Sequence, residues 1–172
     1  MASLPMSICR IDTPDGIQDC VTILDDKLVF ARGLPSEAIV GILVRPLGPG
    51  EAITAEIFSR NRGFVDYMHA LIARRGPELP GLIAEATRQG DGFVFVIDQR
   101  TPTPRGAVPP EDIVGAFEVK GGQVVSGSYR PSPNHRLLTS NGFFQLGPEL
   151  QPCLLLEVTA LAMQDSEPGA AT

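Results

Sequence analysis

Tryptophan is absent from this chain of 172 residues, and lysine, histidine and cysteine are scarce: two, two and three residues. Each shortage excludes something. Three cysteines, Cys9, Cys20 and Cys153, with no pair at CxxC spacing, do not make a structural zinc site. Their odd number and the lack of a basic and then apolar leader in MASLPMSICR point to free thiols in a reducing, cytoplasmic setting. No apolar run reaches the roughly 18 residues that a membrane-spanning helix needs. The recognisable loops and motifs of dinucleotide, P-loop, zinc-protease, serine-hydrolase and calcium sites are missing as well. No cofactor and no metal is therefore expected.

What is present describes a globular chain. Apolar residues make up 43% and charged residues 20%, with mean hydropathy near zero at +0.09. That composition excludes a disordered chain, a coiled coil and a collagen-like repeat. At this length a domain buries roughly 70% of the surface its unfolded chain exposes, so no covalent or metal staple is required. The formal net charge of −6 repels phosphate polyanions, which argues against nucleic acid as a partner. The charge is uneven. Residues 99–140 hold five bases (Arg100, Arg105, Lys120, Arg130 and Arg136) against three acids, and residues 141–172 hold four acids and no base.

The pattern along the chain predicts an α+β fold: one two-layer domain over residues 1–163, a mixed or antiparallel sheet with two or three packed helices, and a disordered tail over 164–172. Cys20–Leu24 and Lys27–Ala31 read as a hairpin turned at Asp25-Asp26. Ile39–Val44 reads as a buried strand. Thr54 is placed to cap a short helix over Ala55–Arg60. A longer helix over Gly63–Arg75 sets Phe64, Met68, Leu71 and Ile72 on one stripe. Pro80–Gln89 reads as a further helix with Leu82, Ile83 and Ala86 inward. Gly92–Asp98 is apolar at nearly every position, which predicts a central strand covered on both faces. Ile113–Lys120 and Gln123–Tyr129 form a hairpin at Gly121-Gly122. Pro148–Met163 reads as a closing helix, with Leu150, Leu154, Val158 and Leu161 in register.

The chemistry-bearing residues concentrate in two Pro-rich loops. Tyr129-Arg130-Pro131-Ser132-Pro133-Asn134-His135-Arg136 places a phenol, two guanidinium groups, a carboxamide and an imidazole within eight residues. Arginine forks suit carboxylates and phosphates, and the prolines limit the loop's freedom. The commoner alternative is that Arg130 and Arg136 pair with nearby acids while Asn134 and His135 serve turn backbone. Arg100 follows the Gly92–Asp98 strand, where its simplest role is a surface contact with Asp98. His69 borders the helical stripe, with Asp66 at i−3 to orient its ring. Asp25-Asp26 and Glu111-Asp112 are the adjacent carboxylate pairs, and each is best explained by local chain geometry.

Two functions follow as expectations. The first is a non-catalytic binding or accessory protein that uses its Pro/Arg-rich loops to hold a small anion or a protein partner, a second copy of itself in a homodimer included. The second is a small enzyme acting on an anionic metabolite, with His135 or His69 as acid/base and Arg130, Arg136 or Arg100 as the anion clamp. The candidate ligand-binding residues are thus Tyr129, Arg130, Asn134, His135, Arg136, Arg100 and His69.

Overall fold

The structure, a computed structural model, describes residues 3–101 and 107–164. Arg105 and the tail beyond Gln164 lie outside the described residues. The fold is α+β, with every strand pairing antiparallel. The residues group into two compact units, one running up to Tyr67 and rejoined from Gln151 onward, the other spanning Met68–Leu150.

The first unit is built on a sheet in the order β1-β2-β3-β4: β1 Ser7–Thr13, β2 Gly16–Thr22, β3 Ile39–Leu43 and β4 Phe58–Arg60. The first hairpin thus turns at Pro14-Asp15 and not at Asp25-Asp26. Proline presets φ at the first turn position and aspartate and glycine suit the following ones, so Thr13-Pro14-Asp15-Gly16 is the better turn. Asp25 instead begins a helix, α1, over Asp26–Arg32: its carboxylate accepts from the Lys27 backbone N–H at 2.8 Å. Lys27–Ala31 is therefore helical, although α1 buries none of its side chains. The predicted strand at Ile39 forms as β3. The predicted helix over Ala55–Arg60 does not form, because these residues turn and then pair with β3 as β4.

Helix α2 covers Arg62–Arg75, and Phe64, Met68, Leu71 and Ile72 are all fully buried, as their spacing predicts. Helix α4 runs over Leu150–Gln164, with Leu150, Leu154, Val158 and Ala162 as its buried stripe in place of the predicted Leu161. Both helices cross from one unit to the other, α2 after Tyr67 and α4 after Leu150.

The second unit contains α3 (Pro80–Gln89) and a sheet of β5 (Gly92–Ile97), β6 (Ile113–Lys120), β7 (Gln123–Val124) and β8 (Arg130–Pro131). A two-stranded ribbon of β9 (Leu138–Thr139) and β10 (Gly142–Phe143) completes it. Strand β6 is central: it pairs with β5 on one side and with β7 and β8 on the other. Strand β5 is at an edge, contrary to its apolar composition. Val94 and Val96 point into the core, while Phe93 and Phe95 remain 53% and 52% exposed. An unbroken apolar run hides this alternation, because phenylalanine on the open face reads like core. In α3, Ala86 is buried but Ile83 is exposed. The turn between β6 and β7 is the predicted one: Gly121 and Gly122 have φ of 57° and 76°, which L side chains resist.

Candidate functional site

Arg100 lies just beyond β5, and its side chain is 1% exposed. Its Nε donates to Oδ1 of Asp112 at 2.8 Å. Nη1 donates to the carbonyls of Leu137 at 3.2 Å and Gly142 at 3.1 Å. Nη2 donates to the carbonyl of Glu111 at 3.0 Å and to that of Arg136. A guanidinium carries five N–H donors, and all five have protein acceptors. The expected surface contact is thus a buried staple that ties the start of β6, the 136–137 backbone and β10 to the end of β5.

Asp98 completes the cluster. Its Oδ1 accepts from the backbone N–H groups of Arg100 at 3.1 Å and Gln145 at 2.9 Å. Its Oδ2 stands 2.9 Å from Nε2 of His135 and 3.5 Å from Nη2 of Arg100. A carboxylate only accepts, so the imidazole donates from Nε2. Asp112 keeps one oxygen, Oδ2, buried without a partner. The ring of His135 is itself 3% exposed. His135 and Arg100, 35 positions apart in the chain, are therefore brought together through Asp98. The sequence presents Asp98 as a surface contact for Arg100 and Asp112 as half of an adjacent carboxylate pair, but not the buried guanidinium that the two share. The available signal was an acid at each boundary of two apolar strands that turn out to pair, beside an arginine in the connecting loop.

Tyr129 and His69 make a second pair. The Tyr129 hydroxyl lies 2.7 Å from Nδ1 of His69, and its ring packs on Phe117 with centroids 4.9 Å apart. Burial pushes the phenol pKa well above its ordinary value. The ring rests on the backbone of Gly115, where a Cβ would overlap it.

The remaining candidates face outward. Arg130, Asn134 and Arg136 are exposed, on a backbone pinned from below. Ser132 N–H donates to the Val114 carbonyl at 2.9 Å, and Arg136 N–H donates to the Glu111 carbonyl at 3.2 Å. No acid among the described residues pairs with either guanidinium group. Arg130 stands opposite Ala116 in β6, and Ala116 stands opposite Phe95 in β5. Residues directly opposite one another share a face. Phe93, Phe95, Glu118, Lys120 and Arg130 thus share the open face of this sheet, and Tyr129 lies on the packed one. A cavity of about 720 Å³ in the same unit is lined by Ile83, Thr87, Gly122, Val124 and their neighbours, and by none of the candidate residues. Among the described residues no group of acids, histidines and cysteines could hold a metal ion, and no helix is long and apolar enough to cross a membrane.

Comparison of the chain with protein-family models, with curated proteins and with solved structures finds no match.

Proposed function

We propose that this is a non-catalytic binding protein, and that it takes a partner protein carrying carboxylate groups against the open face of β5, β6 and β8 and the loop that ends at Arg136. One observation carries the reading: Arg130 and Arg136 are exposed on an ordered backbone, and among the described residues neither side chain has an acidic partner. A backbone already held by hydrogen bonds need not be ordered on binding, so only side-chain freedom is lost. Phe93 and Phe95 beside Arg130 add apolar and cationic surface of the kind that protein interfaces use. An extended sheet face with two half-exposed aromatic rings suits a protein better than a small anion, whose sites are concave.

The enzyme alternative has less behind it. A carboxylate-oriented imidazole is the arrangement of many general bases. His135, however, is almost wholly covered, and each Arg100 donor is engaged by the protein. Neither group is free to meet a substrate without rearrangement.

The test is fluorescence polarisation with a labelled peptide alternating glutamate and leucine, against the wild type, Arg130→Ala with Arg136→Ala, and Phe95→Ala. Binding should weaken as salt rises and fall at least about tenfold in the arginine double variant. Phosphate and citrate serve as competitors. Undiminished binding in the double variant, or none in the wild type, overturns the reading. Complete displacement by phosphate would make the ligand a small anion instead.

A further inference from the structure

The register of the first hairpin sets Cys9 of β1 directly opposite Cys20 of β2. We propose that these two thiols are a reversible disulfide site, formed by exchange with a low-molecular-weight disulfide. The backbone register meets the Cα requirement. Residues directly opposite in an antiparallel pair have Cα atoms about 4.5 or 5.5 Å apart, and disulfides span Cα separations of roughly 4.4–6.8 Å. Both side chains leave the sheet on the same face. All three cysteines of the chain are free thiols in this structure.

The surroundings supply access. Cys9 is half-buried, and Cys20, though buried, lines a cavity of about 300 Å³ together with Ile11, Ile42, Ser59 and Arg60. Cys9 is the thiol that an oxidant meets first. Its thiolate attacks one sulfur of the small disulfide, forming a mixed disulfide and releasing one small thiolate. The Cys20 thiolate then attacks the Cys9 sulfur, forming the intramolecular bond and releasing the second. The two cysteines are oxidised, the small disulfide is reduced to two thiols, and the protons lost by the cysteines are taken up by those products.

Reversibility follows from the setting. The bond would close a loop of about 12 residues, which constrains the unfolded chain less than a long-range cross-link does. It would tie β1, the edge strand of its sheet, to β2 by a covalent link. Burial raises the pKa of both thiols, with Asp26 adding to the effect at Cys9, and Cys9 and Asp19 adding to it at Cys20. Exchange is therefore slow at neutral pH and wants long incubation.

The experiment uses the full chain in mixtures of reduced and oxidised glutathione at about pH 8, followed by alkylation and peptide mass spectrometry. The expected result is loss of two alkylatable thiols per chain, a linked peptide joining Cys9 to Cys20, an unchanged Cys153, and full recovery of three thiols on reduction. Cys20→Ser should stop at a stable glutathione adduct on Cys9, and Cys153→Ser should behave as the wild type. Three alkylatable thiols in the most oxidising mixture would overturn the proposal. So would a bond involving Cys153, or a linkage found only between chains.

Discussion

Asp98 Oδ2 lies 2.9 Å from Nε2 of His135 and 3.5 Å from Nη2 of Arg100. One carboxylate oxygen thus serves an imidazole and a guanidinium group that sequence reasoning gave to a ligand. The energetic consequence is severe for any change that removes one member. A buried charge left without its partner costs far more than the intact cluster contributes over an apolar replacement.

The first prediction concerns Arg100. Replacement by leucine leaves Asp98 and Asp112 buried without their shared cation and removes one donor from each of four carbonyls, of which Glu111 and Leu137 keep a backbone N–H. The expected loss is about 3–5 kcal/mol, read as a lower denaturant midpoint. Arg100→Lys keeps the charge but offers three donors from one point in place of a five-donor fork, so it should recover only part of the loss. A wild-type midpoint in Arg100→Leu would mean that the staple contributes nothing, and one in Arg100→Lys that the charge suffices without the fork.

The second prediction concerns alkaline pH. Burial raises the folded-state pKa of Tyr129 above that of an unfolded tyrosine. Above about pH 10 the unfolded chain gives up this proton while the folded one keeps it. The unfolded state then binds fewer protons, and stability falls as pH rises. The contribution is intact below that pH and is lost above it. Urea midpoints measured from about pH 8 to about pH 11 should decline, and Tyr129→Phe should decline less steeply. At neutral pH the same variant should lose about 1 kcal/mol, for the hydrogen bond to His69. Identical slopes in the two proteins would show that Tyr129 ionises in the folded state.

The parts of the fold legible in the sequence are those in which one local signal decides the outcome. Helix α2 announces itself through Phe64, Met68, Leu71 and Ile72, and the Gly121-Gly122 turn through the positive φ that two glycines permit. Elsewhere two local signals compete. Leu28, Val29 and Phe30 look like strand, yet the Asp25 cap makes them helix, and Phe30 is left 95% exposed. Strand β5 is apolar on both faces, so composition cannot tell an edge from a centre. That depends on which strands pair, a non-local fact. The site follows the same division. The cluster of polar groups in the 129–136 loop is plain in the sequence, but the division of labour within it is not. His135 and Tyr129 turn inward because Asp98 and His69, distant in the chain, are there to receive them. Arg130 and Arg136 turn outward because no such partner stands near.

The last prediction concerns Gly115. It faces the phenol ring of Tyr129 across the β6–β8 pairing, and a Cβ built there would overlap ring atoms. Its backbone is ordinary strand, so an alanine meets no conformational obstacle, and the only objection is space. The ring cannot retreat freely, because its hydroxyl is held by His69 and its face packs on Phe117. Gly115→Ala should therefore cost about 1–3 kcal/mol, as overpacking does. Tyr129→Ala should also destabilise, by loss of the same packing. If the overlap is the cause, the two costs share a source: with the ring gone, the added methyl group has room. The double variant should then be less damaged than the sum of the singles, with a coupling of about 1 kcal/mol or more. Denaturant midpoints for the four proteins give the cycle. Simple additivity would mean that Gly115 is required for some reason other than the ring that lies on it.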